Sequence, residues 1–576
     1  MKDPHRILMI KFIKILWGSL SMSKEVKKLE RTQVVVIGGG CTGTGILRDL
    51  ALRDIPAVLF EKKDLGYGTT GRCHGLLHSG ARYSVKDTEA ARECIEENAI
   101  LKQIAACCIE DTGGMFVHLK EDDEEYVKQF IKGCGIAGIE IEELSPREVF
   151  EREPSVTTKI TRAYSVPDAY IDVFQLTTAN AQDAVRLGST VKTYTEIIKI
   201  EVKNGKVQGV HYLDALTGEK GYLACDIVVN AAGPWATLIA AKVGVEVNLI
   251  YNRGSLVVFN QRITHGVVNR LKVPGDCDLI VPGGPVSILG TTSINVPNPG
   301  AKDINPGEID YMLKMAAVTF PELDKARIIR AYAGVRPLYS PKASTTSAGR
   351  EISRNFVLLD HEQEDNVIGF ISILGGKLTT YRLMAKVTTD LVCRKLGVDR
   401  ECTTHQHTLK SAASNQSMEE GKKFLSLSAL EKVGHRLGCN VPLLLEKIKN
   451  DPLQAELVCE CEFVTRAELE LALEGVITIP VRTISDIGRR TRLGMGTCQG
   501  NFCGYKAMIA VYEKGFFQGE QAKDQLARFL RDRWKGQEMV PHGKQNQQLD
   551  LSYQLYGETL GCACPGQHKN VESSFS

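Results

Sequence analysis

Three glycines with the spacing G-x-G-x-x-G, Gly38, Gly40 and Gly43, follow directly after the apolar run TQVVVI (32–37). In this pattern the first glycine permits a tight turn, the second lets the backbone approach a pyrophosphate, and the third lets helix and strand pack closely. Glu61 lies 18 residues beyond Gly43, where an acidic side chain can accept hydrogen bonds from ribose hydroxyls. The spacing therefore predicts a dinucleotide site, and it leaves open whether the ligand is FAD or NAD.

The segments around these glycines have the patterns of the elements that must position them. TQVVVI is short, apolar and β-branched, which is typical of a buried parallel strand. ILRDLALRD (46–54) has helical spacing, and PAVLFE (56–61) indicates a second buried strand. Two later stretches, 223–236 and 369–392, also have the order strand, glycine turn, helix, so we expect them to return to the same sheet.

Four of the 17 cysteines form two pairs, Cys459-x-Cys461 and Cys498-x4-Cys503, with 36 residues between the pairs. Four thiolates are the usual ligands of a [2Fe-2S] cluster, and the glycine-rich turn around the second pair offers N–H groups that stabilise sulfur. Structural zinc is the alternative, although zinc sites favour C-x2-C pairs. Four arginines between the pairs could offset the negative charge of a cluster: Arg482, Arg489, Arg490 and Arg492.

Composition narrows the class of protein. A chain of 576 residues exceeds one core, so two or more domains are expected. A formal net charge of +2 argues against a general nucleic-acid binder, and 17 cysteines in so long a chain fit a reducing compartment. The apolar run at 6–17 is interrupted by two lysines and is too short for a membrane span. We expect it to be a translation-start artefact preceding a true start at Met22, a disordered tail, or a basic amphipathic helix on a membrane surface.

Four segments in combination resemble the FAD-dependent glycerol-3-phosphate dehydrogenases: GYGTTGRCHGLLHSGARY (66–83), VVNAAGPWA (228–236), AGVRPLYS (333–340) and LGGKLTTYR (374–382). From about 31 to 536 the chain is most similar to the catalytic chains of the anaerobic enzymes. The resemblance implies an α/β fold in which an FAD-binding Rossmann-like domain is interleaved with a mainly antiparallel β substrate domain. It also implies a small helical [2Fe-2S] module like bacterioferritin-associated ferredoxin.

The same resemblance implies an activity and partners. The reaction would be oxidation of sn-glycerol 3-phosphate to dihydroxyacetone phosphate by hydride transfer to FAD. Companion flavin and iron–sulfur or membrane-anchor subunits would pass electrons to the membrane quinone pool, with this chain peripheral on the cytoplasmic face of the cell membrane. No nucleic acid is expected as a partner. The chain departs from the family in its N-terminal extension and in the pair Cys562-x-Cys564, to which no role is assigned.

Site residues follow from the same motifs. The set implied to act on the substrate is His78, Arg82, Arg336 and Lys377. Arginine suits phosphate because its guanidinium is forked and permanently charged. Neutral imidazole suits a base near pH 7, with a pH limb near neutrality, and His74 is the alternative base. The set implied to contact FAD is Gly38, Gly40, Gly43, Glu61, Thr69, Thr70, Gly71, Ala232, Gly233, Gly375, Gly376 and Thr379. The implied cluster ligands are Cys459, Cys461, Cys498 and Cys503.

Five segments are expected along the chain: an N-terminal extension (1–30), the oxidoreductase domain (31–404), a polar linker (405–425), the [2Fe-2S] module (426–512), and a C-terminal helix with a loosely held polar tail (513–576).

Two other functions stay open. A carboxylate also binds arginine, so the substrate could be another 2-hydroxy acid or an amino acid. The chain could instead be a redox sensor, which would not need phosphate-binding cations over its flavin.

Overall fold

The computed structural model describes residues 30–340, 354–540 and 544–562. All but the last residue of the predicted N-terminal extension, and Cys564 of the tail pair, lie outside these ranges. Among the described residues, no helix combines the length and the apolar character that a membrane crossing requires.

Strands in the described residues build two large sheets and three small ones. In chain order they are β1 (Val34–Ile37), β2 (Ala57–Phe60), β3 (Leu76–Leu77), β4 (Ile109–Glu110), β5 (Gly114–Leu119), β6 (Glu142–Leu144), β7 (Ile160–Val166), β8 (Ala169–Ile171), β9 (Thr190–Lys192), β10 (Thr195–Lys203), β11 (Lys206–Asp214), β12 (Lys220–Ala224), β13 (Ile227–Asn230), β14 (Leu249–Phe259), β15 (Val267–Arg270), β16 (Leu279–Gly283), β17 (Val286–Gly290), β18 (Ile294–Val296), β19 (Ile328–Tyr339), β20 (Phe356–Asp360), β21 (Phe370–Gly375), β22 (Leu457–Cys459) and β23 (Val464–Thr465).

The α-helices alternate with the strands in the first 400 residues and dominate thereafter. In chain order they are α1 (Cys41–Leu52), α2 (Thr88–Ile104), α3 (Glu124–Ala137), α4 (Pro146–Arg152), α5 (Val173–Arg186), α6 (Ala236–Ala240), α7 (Pro306–Ala317), α8 (His361–Asp365), α9 (Tyr381–Leu396), α10 (Asn415–Gly421), α11 (Leu427–Leu437), α12 (Val441–Asn450), α13 (Arg466–Leu473), α14 (Ile484–Thr491), α15 (Cys503–Glu513), α16 (Gly519–Gln537) and α17 (Lys544–Ser552).

The first large sheet has the strand order β20-β21-β13-β1-β2-β9. All of its pairs are parallel except the edge pair β20–β21. β1 is buried on both faces, as its unbroken β-branched run predicts: Val34 and Val36 pack in one core with Ile46 of α1, while Val35 packs in another with β10–β12. β13 and β21 belong to this sheet, so the two predicted returns to it are confirmed.

The second large sheet has the order β18-β14-β17-β16-β15-β5-β7-β6, with β19 also paired to β14. Only β5 and β15 run parallel, so the prediction of a mainly antiparallel second sheet is confirmed. The long pair β14–β19 sets Asn252 opposite Arg336. This sheet therefore carries a predicted site residue to the edge of the nucleotide-binding domain.

The C-terminal third is helical and has two packed cores. Within the predicted linker, α10 brings Met418 against the core formed by α11 to α13. At the other end, α17 and the turn after it bury Leu549, Tyr556 and Cys562 in the core that contains the cysteine quartet. The expectation of a loosely held tail is wrong for 544–562, because apolar side chains at helical spacing give this segment a face to bury.

A buried ion cluster joins the helical region to the oxidoreductase domain. Asp64, just beyond β2, is fully buried and accepts hydrogen bonds from Arg490 at 2.6 and 3.0 Å and from Arg489, both on α14. Burial alone would raise the pKa of Asp64, but Arg490 and Arg489 outweigh it and lower the pKa to about 2. Nearby, Tyr194 donates to Asp486 of the same helix at 2.6 Å.

Removing this carboxylate should loosen the helical region. Asp64→Ala leaves two guanidinium groups buried without their partner, so we expect the free energy of opening of α14 to fall by about 3–5 kcal/mol. Because the pKa of Asp64 is lower in the folded state than in the unfolded chain, its contribution is complete above about pH 4 and is lost as the pH falls toward 2. Hydrogen exchange across α14 measures both effects. Asp524→Ala, exposed on α16, is the control, and equal exchange in the two variants would contradict the assignment.

Candidate active site

The glycine turn has the tight geometry that its spacing predicts. Gly38 has φ +118°, and a Cβ there would lie 2.4 Å from the carbonyl oxygen of Ala231. A Cβ on Gly43 would lie 1.9 Å from the carbonyl oxygen of Gly38, so any side chain at this position would keep helix α1 away from the strand. At Gly40, the N-cap of α1, the nearest obstruction to a Cβ is the Thr70 hydroxyl at 3.0 Å. The first N–H groups of α1 therefore begin where a bulky anion can approach.

Glu61 stands directly beside this turn. Its carboxylate accepts the backbone N–H of Gly39 at 2.7 Å and that of Lys63 at 2.8 Å. Burial raises the pKa of Glu61, although these two hydrogen bonds act in the opposite direction. The carboxylate is thus held at the end of β2 beside the glycine turn, where the sequence predicts its contact with a ribose.

The 66–75 loop crosses the same end of the sheet. Thr70 accepts the N–H of Cys41 at 3.1 Å, and Thr69 donates to the carbonyl oxygen of Val335 on β19 at 2.6 Å. A Cβ on Gly71 would lie 2.2 Å from the carbonyl oxygen of Gly66. The loop therefore ties the N-terminus of α1 to the second sheet, and Gly71 is required by packing inside the loop itself.

The remaining predicted cofactor residues surround the same sheet edge. Ala232 and Gly233 follow β13, which hydrogen-bonds to β1 through Ala231. Gly375 and Gly376, at the end of β21, have φ +73° and +80°, and a Cβ on Gly376 would lie 2.4 Å from the sulfur of Met384. Thr379 accepts the backbone N–H of His78 at 3.0 Å. All three strand ends thus meet at one edge, as Rossmann-type folds require of a dinucleotide site.

The predicted substrate residues come from three elements and meet beyond this edge. The rings of His74 and His78 are 6.4 Å apart, and the ring of Tyr83 lies 5.5 Å from His78. The ammonium of Lys377 lies 5.4 Å from the same tyrosine ring. Both histidines also lie within electrostatic range of Arg82, and His74 lies within range of Arg336.

Arg336 is held by polar groups of the second sheet. It donates to the Asn252 side chain at 2.8 Å, to the Thr291 hydroxyl at 2.5 Å and to the carbonyl oxygen of Thr292 at 3.3 Å. Its guanidinium lies over Gly254, where a Cβ would be 2.3 Å from Nη2. Arg82 is held differently, by the carboxylate of Asp278 at 3.1 Å.

Both histidines are neutral at physiological pH. Burial, followed by the charges of Arg336 and Arg82, lowers the pKa of His74 to about 3. Burial, followed by His74 and Arg82, also places the pKa of His78 well below its usual range. The pH limb expected near neutrality is therefore displaced to lower pH in the free protein, because burial, and then the neighbouring charges, oppose protonation of the two rings.

Several residues that position this site were not predicted from the sequence: Asn252, Asp278, Thr291, Tyr83 and Arg354, which lies within electrostatic range of His78. Asn252, Asp278, Thr291 and Arg354 belong to no recognisable motif. Tyr83 alone had a local signal, since it ends the segment that contains His78 and Arg82.

The four predicted cluster cysteines lie together, and none is in a disulfide. Their thiols form a chain of contacts in which Cys459 meets Cys503, Cys503 meets Cys498, and Cys498 meets Cys461. These contacts lower the pKa of Cys459 and Cys498 and raise that of Cys461 and Cys503. Cys461 additionally contacts the Thr497 hydroxyl at 3.5 Å.

Backbone amides surround the sulfurs. Hydrogen bonds from Gly494 and Glu462 reach Cys459, and hydrogen bonds from Phe502 and Gly500 reach Cys498. Such N–H groups around four soft thiol donors fit the chemistry of an iron–sulfur cluster. Within the described ranges, however, no three or more His, Cys, Asp or Glu side chains are arranged as a finished metal site. The donor set fits a cluster, and the identity of its metal stays a prediction.

The predicted arginine compensation for this cluster is wrong. The four arginines between the cysteine pairs each bind carboxylates instead: Arg482 binds Asp214, Arg489 and Arg490 bind Asp64, and Arg492 binds Asp172 and Glu462. A cation that does lie within electrostatic range of Cys459 and Cys503 is Arg533 of α16, which lies outside the predicted module.

Comparison with known proteins identifies relatives across nearly the whole chain. A family model described as FAD dependent oxidoreductase matches residues 33–391. The A subunit of the anaerobic glycerol-3-phosphate dehydrogenase of Escherichia coli (strain K12) is 41% identical over 536 residues, which are 92% of this chain and 97% of that protein. The A1 subunit of the anaerobic glycerol-3-phosphate dehydrogenase of Haloferax volcanii is 40% identical over 538 residues, which are 92% of this chain and 90% of the relative.

Solved structures show the same fold. The X-ray structure of the glycerol-3-phosphate dehydrogenase from Bacillus halodurans, complexed with FAD, aligns with a TM-score of 0.69 at 21% identity. The alignment covers 93% of this chain and 99% of that chain. At this identity the likeness establishes the architecture, which agrees with the two large sheets described above.

Proposed function

Since the chain belongs to the FAD-dependent oxidoreductase family and, within it, to the A subunits of the anaerobic glycerol-3-phosphate dehydrogenases, we propose that it oxidises sn-glycerol 3-phosphate to dihydroxyacetone phosphate. One observation carries the proposal. Two arginines and a lysine, Arg82, Arg336 and Lys377, meet two neutral histidines beside the predicted FAD site. Such a pocket suits a small dianion with a secondary alcohol.

Arg336 is the principal phosphate ligand in this proposal. Its neutral partners on β14 and the turn after β17 fix the plane of the guanidinium, so its fork is oriented before substrate binds. Arg82 forms an ion pair with Asp278, so it contributes a second cation whose charge is partly neutralised. This division predicts that Arg336 is the more sensitive to substitution of the two arginines.

His78 is the proposed acceptor of the hydroxyl proton. A histidine that is neutral over the physiological range can take a proton without first losing one, and the dianionic substrate would offset the resulting charge. FAD, when bound, supplies the acceptor for the hydride from carbon 2. Lys377 places a cation on the same side of the pocket as His78.

FAD would be held by the predicted set. Gly38, Gly40 and Gly43 would admit the pyrophosphate to the N-terminus of α1, and Glu61 would face the ribose. The other proposed contacts come from the 66–75 loop and the two later glycine turns: Thr69, Thr70, Gly71, Ala232, Gly233, Gly375, Gly376 and Thr379.

The proposed route for electrons leads through the cysteine quartet. Cys459, Cys461, Cys498 and Cys503 would hold a [2Fe-2S] cluster, which carries single electrons. An exposed apolar stripe begins beside Cys503 and follows α15: Phe502, Tyr505, Ile509, Tyr512 and Phe516. Exposed apolar patches of this kind mark protein interfaces, so we place a companion protein here, next to the quartet. That companion would link the chain to the cytoplasmic face of the membrane and to quinone.

Substitution of Arg336 tests the phosphate contact. Because charged hydrogen bonds contribute roughly 1.5–3 kcal/mol each, Arg336→Ala should reduce kcat/KM for glycerol 3-phosphate by about tenfold to several hundredfold. FAD content should stay near that of the wild type. Gly254→Ala should act in the same direction, because its Cβ displaces the guanidinium. Arg394→Ala, exposed on α9, is the control; wild-type kinetics in a flavin-loaded Arg336→Ala protein would overturn the assignment.

Substitution of His78 tests the base. His78→Gln should slow anaerobic flavin reduction by glycerol 3-phosphate about a hundredfold or more. Because the pKa of His78 lies well below its usual range, the wild-type rate should stay level from pH 8 to pH 5 and fall only at more acid pH, as His78 becomes protonated, and the variant should lack this acid limb. Stopped-flow bleaching from pH 8 to the lowest pH at which the protein stays folded measures both quantities, with His405→Gln as an exposed control. A variant that keeps the limb would transfer the role to His74.

Substitution in the quartet separates flavin reduction from onward transfer. Cys459→Ser or Cys503→Ser replaces a soft thiolate by a poor ligand, so the cluster should be lost or labile. The variants should still bleach their flavin with glycerol 3-phosphate, while quinone reduction through companion subunits should collapse. Iron and sulfide analysis with electron paramagnetic resonance gives the readout, and Cys439→Ser, exposed on the surface, is the control. One zinc and no signal in the wild type would contradict the cluster.

A further inference from the structure

A cavity of about 460 Å³ lies between the oxidoreductase domain and the helical region. One wall is the 66–75 loop with Tyr332 and Arg330 of β19, and the opposite wall is formed by α16 and the turn that carries Gln499. We call it the interdomain cavity. Its size exceeds that of a single inorganic ion and lies within the range of small-ligand sites.

Cations outnumber carboxylates around this cavity. Seven lysines and arginines line it, against four acidic residues, Asp172, Asp303, Asp532 and Glu538. Arg489 and Arg492 are each paired to carboxylates. In the described part of the chain, four other lining cations form no ion pair: Arg72, Lys302, Arg330 and Arg533.

Three of the cations converge on one aromatic ring. Arg72, Lys302 and Arg489 lie 5.5, 5.9 and 6.0 Å from the ring centroid of Tyr67. On the same wall of the cavity, Arg330 lies 5.6 Å from the ring of Tyr332. The cavity thus combines converging positive charges with aromatic surfaces.

These charges oppose one another in a partly buried setting. Burial, followed by the charge of Arg533, lowers the pKa of Arg330 to about 10, and burial followed by Arg72 lowers the pKa of Lys302 to about 8. The Nε atoms of Arg330 and Arg533 are buried and have no hydrogen-bond partner. Arg330 even depends on a glycine for its space, because a Cβ on Gly536 would lie 2.9 Å from its Nε. Burial of unpaired cations is unfavourable unless an anion completes the site.

We propose that the interdomain cavity is a second anion site, which binds a phosphate-bearing ligand between the oxidoreductase domain and the helical region. Arginine forks and a lysine are the groups that bind phosphate, and the aromatic walls leave room for an attached organic group. Arg533 also lies near Cys459 and Cys503, so its charge can act on the predicted cluster ligands instead. The anion site is therefore assigned to Arg330, Lys302 and Arg72.

This site differs from the proposed substrate site. Arg330 and Arg336 stand six residues apart on β19 and face the same side of the strand, about 20 Å from each other along it. Between them, Gly334 packs against Arg72 of the 66–75 loop. The loop therefore lies between the two arginines and is a wall of both sites, since Gly71 and His74 also line the interdomain cavity. The second site does not depend on the proposed glycerol 3-phosphate activity.

The test uses FAD-loaded protein in buffer free of phosphate and sulfate. Calorimetric titration with inorganic phosphate, and separately with ADP, should show binding in the wild type. Arg330→Gln and Lys302→Gln should each weaken that binding at least tenfold. Arg528→Gln, exposed on α16, is the matched control and should bind normally. Arg336→Ala should also retain the binding, while Arg330→Gln should still bleach its flavin with glycerol 3-phosphate.

Thermal melting distinguishes a ligand site from a structural cation. Without ligand, Arg330→Gln should melt at or above the wild-type temperature because a repelled charge is removed, and ligand should raise only the wild-type midpoint. Tighter binding of ADP than of phosphate would identify a nucleotide as the ligand, and equal binding would identify free phosphate. Absence of binding in the wild type, or unchanged binding in both variants, would overturn the proposal whatever the glycerol 3-phosphate activity. If Arg330→Gln fails to fold, Lys302→Gln provides the same comparison.

Discussion

The buried carboxylate of Asp64 is the interaction on which the relation between the two halves of the molecule depends. It lies between the end of β2 and the 66–75 loop, and it binds two adjacent arginines of α14. A buried ion cluster is costly to disrupt because its members cannot be solvated separately. The cluster therefore fixes the helical region, including the cysteine quartet, against the same loop that borders the predicted FAD site.

The 66–75 loop is correspondingly a shared wall. Thr70 contacts the first turn of α1, and Thr69 bonds to β19, so the loop is attached both to the nucleotide-binding sheet and to the second sheet. Arg336 lies on its substrate side, Tyr67 and Arg72 line the interdomain cavity, and His74, within electrostatic range of Arg336, lines the cavity as well. A ligand that filled this cavity would contact the same loop that borders the proposed substrate site, which gives the two sites a physical connection.

The electrostatics of the two sites differ in kind. In the proposed substrate pocket, burial and then the neighbouring charges, among them Arg82, keep the histidines neutral, which suits them to accept a proton once a dianion is present. In the helical region, most arginines are already neutralised by carboxylates, and they stabilise packing instead of facing the thiols. Backbone N–H groups donate hydrogen bonds to the sulfurs, so the local path of the chain determines the polar surroundings of the quartet.

Local patterns in the sequence determined the glycine turn, the flanking strand and helix, both later returns to the sheet and the cysteine quartet. The glycine turn, its strand and its helix depend on residues close together in the chain, where spacing alone fixes the backbone conformation. The later returns and the quartet were predicted because each of their segments carries its own local pattern, although the segments themselves meet across long stretches of chain. The family resemblance added the cations and histidines of the pocket. Only the tertiary structure decided which charges meet: that Asp64 takes Arg489 and Arg490, that Asn252 orients Arg336, and that Arg330 and Lys302 lie unpaired around one cavity. These contacts join residues tens to hundreds of positions apart, and Coulomb energy depends on distance and burial in the folded state, which no local pattern encodes.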